Sequence, residues 1–128
     1  MSGRLEENCI TRLSTTAAVD MKTVAKVSLY TVPTGKKAIV TKVVVKNPTA
    51  SLAGGTDYDL GDGAACDTWL QAVDLATMTA VTDGYIISSD NIKYTILDAG
   101  DVFGIKPITG STLAATAEID VFGYEFDA

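Results

Sequence analysis

Acidic side chains are the residues of this chain whose type and spacing most suggest chemistry. Asp57, Asp59 and Asp62 lie in a stretch rich in glycine, and carboxylate oxygens are ligands that Ca²⁺ prefers. An EF-hand loop counted from Asp57 needs Gly at its sixth position and Glu at its twelfth, where this chain has Asp62 and Thr68. The EF-hand motif therefore fails. Turn formation is the default role of these aspartates, and another cation site built on Asp57 and Asp59 stays the alternative.

Side chains that could catalyse a reaction are few. The chain has no histidine, which removes the commonest general base and metal ligand together with every Ser-His or Cys-His pair. Asp57 with Asp59, or Asp98 with Asp101, could form a carboxylate pair, but each pair lies among turn-forming residues without an acid or base partner. We therefore predict that the protein is not an enzyme and that it has no catalytic, cofactor-binding or metal-binding residues and no cofactor.

The two cysteines, Cys9 and Cys66, do not form a CxxC pair. The first residues, MSGRLEENCITRL, carry Glu6 and Glu7 where a signal peptide would have its apolar region. We expect synthesis in the cytoplasm without a signal peptide, and thiols usually stay reduced there. Both cysteines are therefore predicted to be unpaired, with a disulfide between them as the alternative.

Composition predicts one folded domain. The 128 residues are 47% hydrophobic and 20% charged, which is enough apolar surface for a single core. Residues 1–46 hold eight of the ten basic residues and three acidic ones, whereas residues 47–128 hold two basic and thirteen acidic ones. The net charge of −6 argues against nucleic acid as a partner, and no apolar run is long enough to suggest a membrane.

Residues 30–47, YTVPTGKKAIVTKVVVKN, predict a turn followed by one long strand. Pro33 suits the second position of a type I turn, and Gly35 suits an exit with positive φ. Period-2 alternation from Lys36 assigns two faces to the strand, with Ile39, Val43 and Val45 on one and Lys36, Lys42 and Lys46 on the other. Asn47-Pro48 ends it.

The preceding strand, residues 23–32, leaves two arrangements open. A hairpin with the three-residue loop Pro33-Thr34-Gly35 would set Leu29 beside Ile39, but it would also place Lys26 opposite Lys42. If the two strands lie in opposite sheets, this repulsion disappears.

Other segments predict short strands separated by turns. Residues 1–21 show no strand pattern, so residues 1–22 are predicted to form an N-terminal arm with at most a short helical turn near residues 5–13. Residues 23–128 are predicted to form a single domain, an antiparallel β-sandwich or jelly roll of about eight strands. Further strands are expected at residues 56–60, 84–88, 92–97, 102–105 and 115–126. Pro107 is expected to end the strand at residues 102–105.

Two segments are harder to assign. Residues 67–75 have a good N-cap in Asp67 and a helical spacing between Trp69 and Val73, which favours a short helix or an irregular turn with Trp69 as a core or interface anchor. In the last strand, the apolar residues change from the face of Ile119 and Val121 to that of Phe122, Tyr124 and Phe126. A bulge at Phe122-Gly123, or burial of both faces at a subunit contact, would explain the change.

Three segments resemble small jelly-roll virion proteins of tailed bacteriophages. LYTVPTGKKAIVTKVVVKN at residues 29–47 is similar to their opening strands, a Tyr/Thr-Val-Pro-x-Gly-Lys turn and a Val/Ile-rich strand ending in Asn. DTWLQAVDL at residues 67–75 and AEIDVFGYEF at residues 117–126 are similar to their middle and last segments. The resemblance implies an architecture and a class of role, and it assigns no functional residue.

The role implied by the resemblance is that of a capsid decoration or cement protein. Such a protein is typically a homotrimer that binds the major capsid protein, or another virion protein, and stabilises the phage head. The implied location is the virion, after synthesis in the host cytoplasm. The alternative is a tail or fibre component that binds a carbohydrate or a receptor. Sugar binding generally needs an exposed aromatic pair, whereas most of the aromatic residues lie on predicted core strands.

Overall fold

Strands make up all the regular structure of the part of the chain that the computed structural model describes, residues 10–88 and 96–128. There are eight of them: β1 (Thr11–Asp20), β2 (Val27–Thr31), β3 (Lys36–Lys46), β4 (Asp57–Gly61), β5 (Leu70–Val73), β6 (Tyr85–Ser88), β7 (Val102–Thr109) and β8 (Thr116–Asp127). Within these two ranges, no helix has the length and apolar character needed to cross a membrane.

The strands form two antiparallel four-stranded sheets. Sheet A has the order β1-β8-β3-β6 and sheet B the order β2-β7-β4-β5. Strand β1 pairs with β8, β2 with β7, β3 with β6, and β4 with β5. This nested pairing is the strand order of two Greek keys that form a jelly roll. The predicted all-β sandwich of about eight strands is confirmed.

Strands β2 and β3 lie in opposite sheets, which decides between the two arrangements that the sequence left open. A turn with Gly35 at positive φ (80°) forms as predicted, but it lies one residue later than expected. The Lys36 N–H donates to the Pro33 carbonyl at 3.2 Å, so Pro33 is the first residue of the turn and not the second, and Gly35 is the third. Lys26 and Lys42 are therefore not cross-strand neighbours. Strand β2 is shorter than the predicted residues 23–32.

The core lies between the sheets and takes the alternate residues of their long strands. Sheet A supplies Val43 and Val45 of β3 with Ile119 and Val121 of β8, all fully buried. Sheet B supplies Tyr58, Leu60, Phe103 and Ile105, which are also buried. Burial of these β-branched and aromatic side chains is the main stabilising term of the fold.

Strand β3 alternates as predicted only in its second half. Val40 pairs with Gly123 and Lys42 pairs with Phe122, so Thr41 is an extra residue, which makes a β-bulge. Before the bulge the buried residues are Ala38 and Val40, and Ile39 lies on the outer face. The assignment of Ile39 to the buried face is wrong because a bulge shifts the alternation by one residue.

Strand β8 keeps one alternation throughout. Its odd-numbered residues from Ala117 to Gly123 are buried, whereas Phe122, Tyr124 and Phe126 face outward and are half-buried. The predicted bulge at Phe122-Gly123 lies instead in the neighbouring strands, as Thr41 of β3 and as the register shift between Arg12 and Ser14 of β1. The apolar residues on the outer face of β8 therefore belong to a surface.

Strand β1 corrects the prediction of an arm without strand structure, which is wrong for residues 11–20. These residues pair with β8 from Thr11 opposite Gly123 to Asp20 opposite Thr116. Two register shifts, the second beside Ala18 with its φ of 55°, break the alternation that a sequence pattern would show. The inward side chains of β1 are also mostly polar and small, and Val19 is its only fully buried hydrophobic residue. The predicted helical turn lies partly in residues 5–9, outside the described residues.

Strand β5 corrects the preference for a helix within residues 67–75. Leu70 pairs with Leu60 and Val73 with Tyr58, so three residues of β5 span two of β4. Ala72 absorbs the extra residue with a φ of 57°. Such a bulge brings Leu70 and Val73 to the same face, a spacing that looks helical in the sequence.

Strand β7 continues past Pro107, so the prediction that this residue ends it is wrong. Pro107 pairs with Tyr58, next to a register shift between Asp57 and Tyr58, and bulges are among the places where a sheet tolerates proline. The strand predicted at residues 92–97 lies mostly outside the described residues. Leu97 forms an isolated bridge to Ala38.

Candidate functional site

Two of the three aspartates considered for cation binding, Asp59 and Asp62, accept hydrogen bonds at a bulge and a turn. Asp59 accepts a hydrogen bond at 3.1 Å from the N–H of Ala72, which holds the bulge of β5. Asp62 accepts one from the hydroxyl of Thr68. This is the turn-forming role that the sequence favoured. Within the described ranges, no three His, Cys, Asp or Glu side chains lie close enough together to hold a metal ion.

Asp98 and Asp101 also serve the backbone. The carboxylate of Asp101 accepts the N–H of Asp98 at 2.8 Å, while the N–H of Asp101 donates to the carbonyl of Asp98 at 3.0 Å. The Asp98 carboxylate lies 3.5 Å from the Lys37 ammonium. The pair therefore closes the turn before β7 and ties it to β3, in the turn context that the sequence indicated.

Cys66 is buried, and its thiol donates to the carbonyl of Gly61 at 3.4 Å. Burial raises the pKa of this thiol, which disfavours the nucleophilic thiolate. Cys9 lies outside the described residues, so the predicted absence of a disulfide between the two cysteines stays a prediction.

Trp69 is the core anchor that the sequence predicted. Its side chain is 8% exposed, its Nε1–H donates to the carbonyl of Val40 at 3.0 Å, and its ring meets Phe103 edge to face with 5.6 Å between centroids. Val40 belongs to sheet A and Phe103 to sheet B, so this side chain joins the two sheets next to the bulge of β3.

The outer face of sheet A is the surface on which apolar side chains concentrate. We use this name for eight residues that the strand register places on the solvent side of the sheet: Arg12 of β1, Ile39, Lys42 and Val44 of β3, Ile86 of β6, and Phe122, Tyr124 and Phe126 of β8. Ile86 is 65% exposed, and all the others of the set are half-buried except the exposed Arg12. Neighbouring strands bring them together from distant parts of the sequence.

Cations and aromatic rings alternate across this face. The Lys42 ammonium lies 4.8 Å from the centre of the Phe122 ring, a distance at which a cation–π attraction acts. Arg12 is the partner of Phe122 on the other side, in β1. Tyr124, opposite Ile39, stands 6.0 Å from Phe126 between ring centroids. A row of positive charge thus borders an apolar patch.

An ionic cluster bounds the same face towards the other end of β8. The Lys46 ammonium lies 2.8 Å from Asp120 and 3.1 Å from Glu118. Asp120 is 4% exposed. Burial raises the pKa of Asp120, but hydrogen bonds from Lys46 and Thr15 and the positive charges of Lys46 and Arg12 together outweigh it and hold this pKa below its ordinary value. Hydrogen bonds to Asp120 and Glu118 raise the pKa of Lys46, so Lys46 and Asp120 form a charged pair at neutral pH.

A groove of about 290 Å³ opens between the sheets at the side of β5 and β6. Both are edge strands, and the groove is lined by residues 70–74 and 85–88. The αL residue Ala72 interrupts one of its walls. The groove therefore offers a less regular docking edge than the outer face of sheet A.

Sequence reasoning identified part of this face and missed the rest. Phe122, Tyr124 and Phe126 were recognised as sharing a face, because they alternate with Ile119 and Val121. Ile39 was assigned to the core, and neither Arg12 nor Ile86 was singled out. The excess of basic residues in the first 46 positions is the signal that points to Arg12 and Lys42, although it does not say where they lie.

Comparison with protein-family models found no match, and comparison with curated proteins found none. Among solved structures, the fold is similar to a chain in the capsid asymmetric unit of cyanophage Pam1, at 12% identity and a TM-score of 0.56, over 90% of this chain and 84% of that one. A chain in the acidic stable capsid structure of Helicobacter pylori bacteriophage KHP30 is 17% identical with a TM-score of 0.49, over 94% of this chain and 98% of that one. The Pam1 chain shows that this sandwich occurs in a phage capsid, which confirms the resemblance at the level of the fold.

Proposed function

We propose that this chain is a non-enzymatic structural protein of a phage virion, and more narrowly a decoration or cement protein of the head. In this proposal it is made in the host cytoplasm, forms a homotrimer, and binds the major capsid protein or another virion protein. Nucleic acid and membrane are not its partners. The observation that carries the proposal is the jelly-roll fold that it shares over most of its length with a chain of the Pam1 capsid.

The outer face of sheet A supports a binding role. Tyr, Phe and Arg are enriched in the cores of protein interfaces, where a flat side chain buries a large area at a small cost in conformational entropy. This face combines three aromatic residues with Ile39 and the highly exposed Ile86. A surface of this kind is stabilised when a partner covers it.

The proposed action requires no chemistry. A protein that binds an assembled lattice but not its dissociated subunits stabilises the lattice by mass action. Many equivalent copies add their contributions, so a weak contact per copy gives a large effect per particle. Because Arg12 and Lys42 border the apolar patch, part of the attraction to an acidic partner is electrostatic and is screened by salt.

Reconstitution on particles tests this function. Heads of the phage that encodes the chain are stripped of the protein and then mixed with wild-type protein, with a variant lacking residues 2–9, or with buffer alone. We expect wild-type protein to raise the melting temperature of the particles and to delay DNA release. The truncation stops before β1, because removal of Thr11–Asp20 would take a strand out of sheet A. Equal melting of particles with and without the protein, or recovery of the protein only with tails, would overturn the cement assignment.

A tail or fibre component that binds carbohydrate is the second candidate. The observation that favours it is the pair Tyr124 and Phe126, whose half-buried rings lie 6.0 Å apart on the outer surface, since sugars stack on aromatic faces. A glycan array probed with wild-type protein and with Tyr124→Ala distinguishes the two candidates. Binding of a defined glycan that is lost in the variant supports the tail function, and an array without binding eliminates it.

A further inference from the structure

We infer that the outer face of sheet A binds a second copy of this chain, and that its counterpart on that copy is the acidic surface around β4 and β5. The inference rests on the self-association proposed above, but not on binding to a capsid.

The acidic surface is defined by five aspartates on and beside these two strands: Asp57, Asp59, Asp62, Asp67 and Asp74. Asp57 and Asp59 alternate with the buried Tyr58 and Leu60 of β4, so their carboxylates lie on the outer side of sheet B. Asp67 and Asp74 flank β5, which pairs with β4. Lys26 and Lys106 are the basic side chains nearby, on or next to the neighbouring strands β2 and β7, and they leave the acidic residues in excess.

The outer face of sheet A carries the opposite charge. Arg12 and Lys42 lie on either side of Phe122. Two further cations on this face have acidic partners: Lys37, opposite Phe126, is paired with Asp98, and Lys46 is held by Asp120 and Glu118. A chain with a net charge of −6 thus places two cations beside the outward aromatic side chains of β8. Complementary charges fix the partner and the register of an interface more than they add affinity.

The two surfaces lie on opposite sheets, which determines the type of contact. A two-fold symmetric contact through sheet A would set a face with Arg12 and Lys42 in excess against the same face of the other copy, and the excess positive charges would repel. Contact between the outer face of one copy and the acidic surface of the next is heterologous. The acidic surface lies at the edge of sheet B, since β5 is an edge strand. A heterologous contact closes into a small ring, such as a trimer, when each copy is rotated suitably relative to the one before it.

Two charge-reversal variants test the contact. The first, Arg12→Glu with Lys42→Glu, makes the outer face of sheet A acidic. The second, Asp57→Lys with Asp67→Lys, makes the acidic surface basic and spares the hydrogen bond from Asp59 that holds the β5 bulge. The control, Lys22→Glu with Lys36→Glu, changes the net charge as much as the first variant, and neither residue belongs to the outer face of sheet A or to the acidic surface. Far-UV circular dichroism and thermal melting establish that each variant folds.

Mass is measured by light scattering at protein concentrations up to about 0.5 mM, so that association with a Kd of about 1 mM is still detected. We expect wild-type protein and the control to associate, and each charge-reversal variant to associate at least tenfold more weakly. An equimolar mixture of the two variants should restore association, because each then meets an oppositely charged surface. Raising the salt concentration should weaken the wild-type complex.

The outcomes separate this inference from the self-association itself. Wild-type protein that stays monomeric at every concentration overturns both. Wild-type protein that associates while the charge-reversal variants associate equally well leaves self-association standing and overturns the named surfaces, as does a mixture that fails to restore association. If a reversal variant does not fold, Arg12→Gln with Lys42→Gln and Asp57→Asn with Asp67→Asn replace the pair, and each is expected to weaken association by itself.

Discussion

Trp69 shows how a single side chain joins the two layers of the sandwich. Replacement by phenylalanine removes the donor to the buried Val40 carbonyl and leaves a small cavity beside Phe103. We expect Trp69→Phe to lower the free energy of unfolding by about 2–3 kcal/mol, measured by urea denaturation. Tyr124→Phe, on the outer face of sheet A, is the control and should change stability by less than about 0.5 kcal/mol. Equal effects of the two substitutions would contradict the anchoring role.

Asp120 makes stability depend on pH in a defined direction. Its pKa is lower in the folded protein than the ordinary value of 3.8, so its charged form stabilises the fold above that pH, and the stabilisation is lost as pH falls through the folded-state pKa. We expect Asp120→Asn to be less stable than wild type by about 1–2 kcal/mol at pH 7. The difference should shrink when denaturation is repeated below pH 4. A difference that stays constant over this range would show that the carboxylate charge contributes nothing.

At the scale of elements, the close approach of β3 and β8 depends on a glycine. A Cβ on Gly123 would collide with the carbonyl oxygen of Ile39, next to the bulge at Thr41. We expect Gly123→Ala to destabilise the protein by about 2–4 kcal/mol, since the backbone of a central strand must move. At Gly84 a Cβ would meet its nearest atom, the Val45 carbonyl oxygen, at an ordinary 3.8 Å. Gly84→Ala should therefore cost about 1 kcal/mol or less, and chemical denaturation compares the two.

Strand β1 is part of the folded sheet, and its one fully buried hydrophobic side chain provides the test. Val19 is 1% exposed, whereas Val24, in the connection to β2, is 61% exposed. We expect Val19→Ala to lower the free energy of unfolding by about 1–3 kcal/mol and Val24→Ala to change it by less than about 0.5 kcal/mol. Thermal and urea denaturation of both variants measure this. A neutral Val19→Ala would support the arm that the sequence suggested.

At the scale of the whole molecule, one cluster of buried residues runs through both sheets. A single shared core of this kind unfolds as one unit. We expect loss of far-UV circular dichroism, which reports the strands, to coincide in urea with the change in Trp69 fluorescence, which reports the contact between sheets. If Trp69 became exposed at a lower urea concentration than the strands unfold, the sandwich would not be one cooperative unit.

The sequence by itself determined the class of fold and the approximate position of several turns. Alternating β-branched residues predicted β3 from Lys36 to Lys46, because a half-buried strand must place every second side chain in the core. Gly35 predicted the positive φ of the turn before it, since glycine adopts that φ without strain, although the turn begins at Pro33 and not one residue earlier. The turn at Asp98-Asp101 and the buried position of Trp69 were predicted for equally local reasons.

Only the tertiary structure decided the face on which residues lie beyond a bulge and which strands are neighbours. Bulges at Thr41 and Ala72 are set by the opposing strand, so the alternation of a single segment cannot reveal them. Strand β1 depends on the backbone of β8 rather than on its own mostly polar side chains. The outer face of sheet A exists because β1, β8, β3 and β6 become neighbours. That order brings Arg12, Lys42 and Phe122 into one row, and it follows from long-range pairing that no local pattern specifies.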